Sequence, residues 1–207
     1  MSKITPTANT STSRSVLLRS LKEHLATIES LTGSTLDSIE HAGQVICDTL
    51  LAGHKILLCG NGGSAADAQH IAAELVGTYE SKRRSWPAIA LTTDTSALTA
   101  VSNDFGYEQV FARQVEGLAQ AGDLLIAIST SGKSPNIVRA AEKARAVGCR
   151  VIALCGSAEG PLSAASDLTV AIPSARTARI QEAHITIGHL WCEMVDALAV
   201  TGKAGSV

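Results

Sequence analysis

Short apolar runs that do not alternate, separated by stretches of helical periodicity, predict an α/β fold. The expected architecture is a three-layer α/β/α sandwich with a five-stranded parallel sheet, preceded by N-terminal helices. The runs fall at 55–59, 88–91, 124–129, 151–155 and 168–172. A strand with one wet face alternates apolar and polar residues, whereas a continuously apolar strand is covered on both faces, as parallel sheets are. The chain has 207 residues, 45% of them apolar and only 3% aromatic. That is enough for one well-filled domain whose core is Ala, Leu, Ile and Val.

Taken in order, residues 1–14 are mostly polar, with no apolar stretch. They read as a disordered tail and not as a secretory signal, which needs an apolar centre. A single domain is expected over 15–204. Val16, Leu17, Leu21, Leu25, Ile28 and Leu31 recur at helical spacing until Gly33 stops them. A second helix is expected over 35–51, with Leu36, Ile39, Val45, Ile46 and Leu50 as its stripe and Gly53 at its end. Both helices precede the first strand and so form a cap, not a crossover. Helices over 64–79 and 135–147, with one or two short segments within 95–121, link the strands. A long helix over 180–200 closes the chain. Right-handed crossovers between parallel strands make this a doubly wound sheet.

Composition excludes several partners. The formal net charge is −2, with charges spread along the chain, which makes no electrostatic case for nucleic acid or an anionic membrane. The longest strongly apolar runs are roughly 5–8 residues, against the roughly 20 a membrane helix needs. Cys47, Cys59, Cys149, Cys155 and Cys192 form no C-x-x-C pair, and they read as buried free thiols of a reducing cytoplasm.

In a doubly wound sheet, ligands bind at the carboxyl ends of the strands, near the switch in strand order. Two loops there attract notice. Gly60-Asn61-Gly62-Gly63-Ser64 follows the first strand and opens a helix. Ser129-Thr130-Ser131-Gly132-Lys133-Ser134-Pro135 follows the third and opens another. Both bring backbone N–H groups and small hydroxyls to a helix N-terminus, which suits an anion. The glycine loop alone is equally an ordinary strand–helix turn, and neither nucleotide-binding glycine pattern is present. The hydroxyl loop carries more hydroxyls than a turn needs. Ser134 suits the N-cap and Pro135 the first helical position. Lys133 either adds charge or is solvated.

These two loops, together with Asn103-Asp104-Phe105-Gly106 and Ile180-Gln181-Glu182-Ala183-His184, resemble the SIS (sugar isomerase) family. The likeness is strongest to the branch that converts sedoheptulose 7-phosphate into D-glycero-D-manno-heptose 7-phosphate, and it covers about residues 20–200. The resemblance implies the SIS fold and substrate contacts from Asn61, Gly62, Gly63, Ser64, Ser129, Thr130, Ser131, Ser134 and Gln181. It also places Asn103 and Asp104 on the sugar chain. It implies one zinc ion per site on His70, Glu74, Gln181 and His189, and homotetramers with sites between subunits.

His70 and Glu74, at i and i+4, share one helical face. Alone, such a pair is also the pattern of a surface ion pair, but this helix begins at a candidate phosphate loop. Aldose–ketose isomerisation needs a base beside the carbonyl and an acid that moves protons between two oxygens. By the resemblance, Glu74 is the base and His189 the acid. Zinc either polarises the carbonyl or orders the site. Gln181 and His189 stand eight residues apart, a rise of roughly 12 Å on a helix. Either Gln181 precedes the regular helix, or the two ligands come from different subunits.

The other polar candidates read more plainly. His184 is a substrate contact or a packed residue, and His24, His41 and His54 are structural or exposed. Asp67 suits the helix dipole. Lys82-Arg83-Arg84 is a solvated loop or meets the outer end of the substrate, and Trp86 and Trp191 are packing residues. Thr78 stands where the family often has arginine, so that charge is missing or is supplied by Arg83 or Arg84. Two other functions compete. One is a tetrameric, non-catalytic SIS adaptor of the replication initiator DnaA, which lacks the glutamate and second histidine found here. The other is a regulatory domain sensing an amino-sugar phosphate, a kind usually fused to a module absent from this sequence.

Overall fold

The computed structural model describes residues 10–200, with side chains over 12–198. The five apolar runs are strands β1 (Ile56–Gly60), β2 (Ala88–Ala90), β3 (Leu124–Ser129), β4 (Arg150–Cys155) and β5 (Leu168–Ala171). All neighbours pair in parallel, in the order β2-β1-β3-β4-β5. Helices α1 (Thr10–Glu29) and α2 (Ser34–Leu51) come before the sheet, and α3 (Gly63–Val76) carries β1 to β2. The return to β3 runs through α4 (Thr95–Phe105), a 3-10 turn (Tyr107–Gln109) and α5 (Ala112–Leu118). Then follow α6 (Pro135–Val147), the one-turn α7 (Pro161–Ala164) and the closing α8 (Thr177–Val200).

The period of two within each strand divides the core into two layers. Ile56, Leu58, Ile126, Ile128, Ile152 and Leu154 face α2, α3 and α8. Leu57, Leu125, Ala127, Val151 and Ala153 face α5 and α6. Apolar residues must fill both sets of positions, which is why the strands read as unbroken runs. Each such Leu or Ile contributes about 1.5–3 kcal/mol by leaving water. The chain leaves β1 outward to β2 and then crosses back to β3 on β1's other side. The strand order therefore switches between β1 and β3.

Helices α3 and α8 run side by side over one layer. Gly188 permits this, because a Cβ there would lie 2.7 Å from Ile71. Trp191 is buried and donates its Nε1 hydrogen to Ile39 O at 2.9 Å, which ties α8 to α2. Trp86 is buried too, so both tryptophans are packing residues.

The N-terminal expectations need correction. Helix α1 begins at Thr10, so part of the expected tail is helical, and residues 1–9 lie outside the described residues. Exposed residues such as Thr12, Ser13 and Ser15 cost only tenths of a kcal/mol each on a helix face, so the helix begins ahead of its first apolar residue, Val16. The apolar stripe of α1 does not pack throughout. Ile28 and Leu31 meet the core, but Leu17, Leu21 and Leu25 are 64%, 60% and 58% exposed. Polar contacts hold α1 to α8 instead: Arg179 donates to Ser20 O and Oγ at 2.7 Å each, and His24 Nδ1 pairs with Glu182 at 2.7 Å.

Candidate active site

The ends of β1 and β3 are in register at Gly60 and Ile128, so the glycine and hydroxyl loops lie together at the switch point. Glycine is required at two places in the first loop. A Cβ on Gly60 would lie 2.3 Å from Ser64 O, and Gly62 holds φ at +55°. Asn61 projects between the loops. It exchanges two hydrogen bonds with Asn136, at 2.9 and 2.8 Å, and accepts a third from the Tyr107 hydroxyl at 3.1 Å. Ser64 is buried, at 3% exposure.

In the hydroxyl loop, Ser129 Oγ and Ser134 Oγ lie 3.1 Å apart, and Ser131 Oγ accepts from Lys133 N at 3.2 Å. Ser134 does hold the N-cap position of α6, yet its side chain makes no capping bond and faces Ser129 instead. Thr130 O accepts from Gly156 N at 3.1 Å, so the end of β4 steadies the loop. Asn103 and Asp104 sit exposed on the last turn of α4, where Asn103 Nδ2 donates to Asp104 Oδ1 at 2.8 Å.

A second group gathers along the seam between α3 and α8. His70 Nε2 lies 2.9 Å from His189 Nε2 and 3.3 Å from Glu74 Oε1. The Tyr79 ring lies 5.5 Å from the His189 ring, centre to centre. Asp67 stands one turn ahead of His70. Burial lifts its carboxyl to about 6, with His70 pulling the other way, and its Oδ2 has no hydrogen-bond partner. A helix dipole alone does not describe that environment.

Gln181 is elsewhere in the protomer. It fills the space beside Gly63, where a Cβ would lie 2.4 Å from its Nε2. Gln181 and His189 both belong to the continuous helix α8, so the expectation that Gln181 precedes the regular helix is overturned. Helix geometry sets them roughly 12 Å apart along the axis. Ligand atoms on a tetrahedral zinc with ~2.0–2.1 Å bonds stand ~3.3 Å apart, close to the spacings around His70 Nε2. The three donors form a row with His70 at its middle. Among the described residues, no three His, Cys, Asp or Glu side chains surround a common point. The chemistry fits zinc, but one protomer does not close the shell.

A family model described as the SIS domain matches residues 21–156. The chain is 54% identical over 178 residues to a phosphoheptose isomerase of a Nitratiruptor species, covering 86% of this chain and 95% of that protein. The chain belongs to the phosphoheptose isomerase family of SIS domain proteins. A phosphoheptose isomerase of Aliarcobacter butzleri is 50% identical over 183 residues, covering 88% of this chain and 97% of that one. Among solved structures, phosphoheptose isomerase GmhA of Neisseria gonorrhoeae superposes with a TM-score of 0.84 at 41% identity, covering 89% of this chain and 98% of that one.

Against this phosphoheptose isomerase background, the arginine expectations change. Arg83 is not solvated: it is 7% exposed and binds Asp196 Oδ1 through Nε at 2.6 Å. It also donates to the carbonyls of Glu74 at 2.7 Å and Leu75 at 2.9 Å. Those carbonyls end α3 and lack partners within the helix, so the cation is drawn inward to them. Arg84 stacks over Trp86 at 4.0 Å. Within the protomer Arg83 is therefore a buried cation at the end of α3, and Arg84, stacked on Trp86, is the exposed one of the two. His184 is fully buried, with its pKa pushed down to about 4 by burial, so it is a packed, neutral residue. His41 is exposed, and His54 lies 3.8 Å from Asp123.

The sequence reading missed Asn136, Tyr107, Tyr79 and the Arg83–Asp196 pair as parts of the site's frame. Asn136 directly after Pro135 was the available signal, since an amide one position into the first turn looks back at the preceding loops. The pairing of Arg83 with Asp196, 113 residues along the chain, left no local mark.

Proposed function

We propose that this protein converts sedoheptulose 7-phosphate to D-glycero-D-manno-heptose 7-phosphate by proton transfer through an enediol. The observation that carries the reading is the row His189–His70–Glu74, at 2.9 and 3.3 Å, beside two loops suited to a phosphate. Family membership supplies the substrate class. Glu74 takes the proton from C1 of the ketose, and the same proton equivalent returns to C2. His189 moves the hydroxyl proton from O1 to O2, so the enediol collapses to the aldehyde and no atom is gained or lost. His70 lies between the two and holds them at working distance.

Zinc held by His70, Glu74 and His189, once the row they form closed around it, with Gln181 of the partner subunit as fourth donor, would supply a Lewis acid for the carbonyl oxygen. The separation of Gln181 from His189 within one chain supports this sharing between subunits. The leucines exposed on α1 support a homotetramer with sites at the interfaces. The five free buried cysteines suit a cytoplasmic setting, and no described helix is long and apolar enough to cross a membrane. Glu74 and His189 are present and gathered, which favours catalysis over the DnaA-adaptor reading.

The test is a coupled or NMR assay on sedoheptulose 7-phosphate, with metal content measured alongside. The parent should form the aldose, lose activity with chelator and recover it with zinc. Glu74→Gln should lower turnover by about 10²–10⁴ while its circular dichroism is unchanged. Turnover within a few-fold of the parent would remove Glu74 from the proton path.

A further inference from the structure

The Asn61 and Asn136 side chains face each other across the gap between the two loops. Asn61 Nδ2 donates to Asn136 Oδ1 at 2.9 Å, and Asn136 Nδ2 donates back to Asn61 Oδ1 at 2.8 Å. Asn136 is 3% exposed, so its side of the pair is shielded from water, while Asn61 is half-buried at the edge of the gap. Pro135 presets the first turn of α6 and brings the next residue under the glycine loop. Tyr107 then donates its hydroxyl to the same Asn61 Oδ1 at 3.1 Å.

A carboxamide oxygen accepts two hydrogen bonds and its nitrogen donates two. Asn61 Oδ1 is thus filled by Asn136 and Tyr107, while Nδ2 has given only one of its two hydrogens to Asn136. What the Asn61 amide has left to offer is an N–H. That suits an acceptor such as a phosphate or hydroxyl oxygen. The three contacts also join three segments: the end of β1, the start of α6 and the turn following Asn103 and Asp104.

We infer that Asn136 and Tyr107 are positioning residues for substrate binding, which act through Asn61 by fixing its amide as a hydrogen-bond donor to an oxygen of the sugar phosphate. This rests on the isomerase reading for the identity of the ligand. If the pair served only to hold the loops together, removing it would lower stability and leave affinity unchanged.

The experiment is calorimetric titration of the full-length protein with sedoheptulose 7-phosphate, with KM and kcat measured in parallel. The proteins are the parent, Tyr107→Phe, Asn136→Ala, Asn61→Ala and the two double variants that contain Asn61→Ala. Tyr107 is 57% exposed, so loss of its hydroxyl leaves the core intact. That variant alone decides the matter if Asn136→Ala does not fold. Losing one hydrogen bond should weaken binding about 3-fold for Tyr107→Phe, and losing two about 10-fold for Asn136→Ala, with KM rising and kcat little changed. In the Asn61→Ala background each effect should shrink below about 2-fold. Parental affinity in Tyr107→Phe, or effects undiminished without Asn61, overturns the inference alone. A parent that binds no sedoheptulose 7-phosphate overturns the isomerase reading along with it.

Discussion

His184 shows how one side chain can tie stability to acidity. It is fully buried, and neither ring nitrogen makes a hydrogen bond of good geometry, although the Cys155 backbone lies close. Burial disfavours the imidazolium, so its pKa falls from 6.5 to about 4 in the folded chain. Between those values the unfolded chain binds a proton that the folded chain refuses. Stability therefore falls as pH drops through that window and is unaffected by this group above it. By pH 4.5 the loss should be on the order of 2–3 kcal/mol. Urea unfolding of chelated protein at pH 7.5 and 4.5 measures it. His184→Leu should lose less than the parent by about that amount, and an equal loss in both would refute the assignment. Arg83 is the other instructive residue. Three adjacent cations in a loop look solvated, yet the unpaired carbonyls at the end of α3 and the buried Asp196 draw the middle one inside.

At the scale of elements, the proposed chemistry rests on the seam of α3 and α8. His70 and Glu74 were legible as one face of a helix, because a separation of four residues is a local fact. That His189 meets His70 was not legible from spacing, since it depends on how closely two helices approach. Gly188 sets that approach, one residue before His189. Gly188→Ala would place its methyl 2.7 Å from Ile71 and push the helices apart. Overpacking of this kind costs about 1–3 kcal/mol. The expected result is a lower urea midpoint together with a turnover loss larger than that of an alanine substitution at an exposed α8 site. Unchanged turnover with a lowered midpoint would separate the seam from catalysis. The same logic explains Gln181. Its place on a continuous helix follows from how far α8 extends, and that placed it beside Gly63 and away from His189.

For the whole molecule, the switch in strand order between β1 and β3 brings the two loops together, and α1 leaves an apolar face exposed that the proposed homotetramer would cover. Leu17, Leu21 and Leu25 are 64%, 60% and 58% exposed, an arrangement that favours burial against another subunit. In a light-scattering column experiment the parent should run as a tetramer. Leu21→Glu should lower its mass and its activity together, because the fourth zinc donor is assigned to a partner; a monomeric parent with full activity would refute that sharing.

Periodicity and turn chemistry, which act over a few residues, were enough to place the strands, the doubly wound class, both candidate anion loops and the i, i+4 pair of His70 and Glu74. Family resemblance added His189 and Gln181. Folding in three dimensions settled the rest: His189 touches His70, Gln181 does not reach them, Arg83 is buried, and Asn136 and Tyr107 meet at Asn61. Each of those depends on contacts between residues distant along the chain, and packing, which fixes such contacts, is a property of the assembled layers.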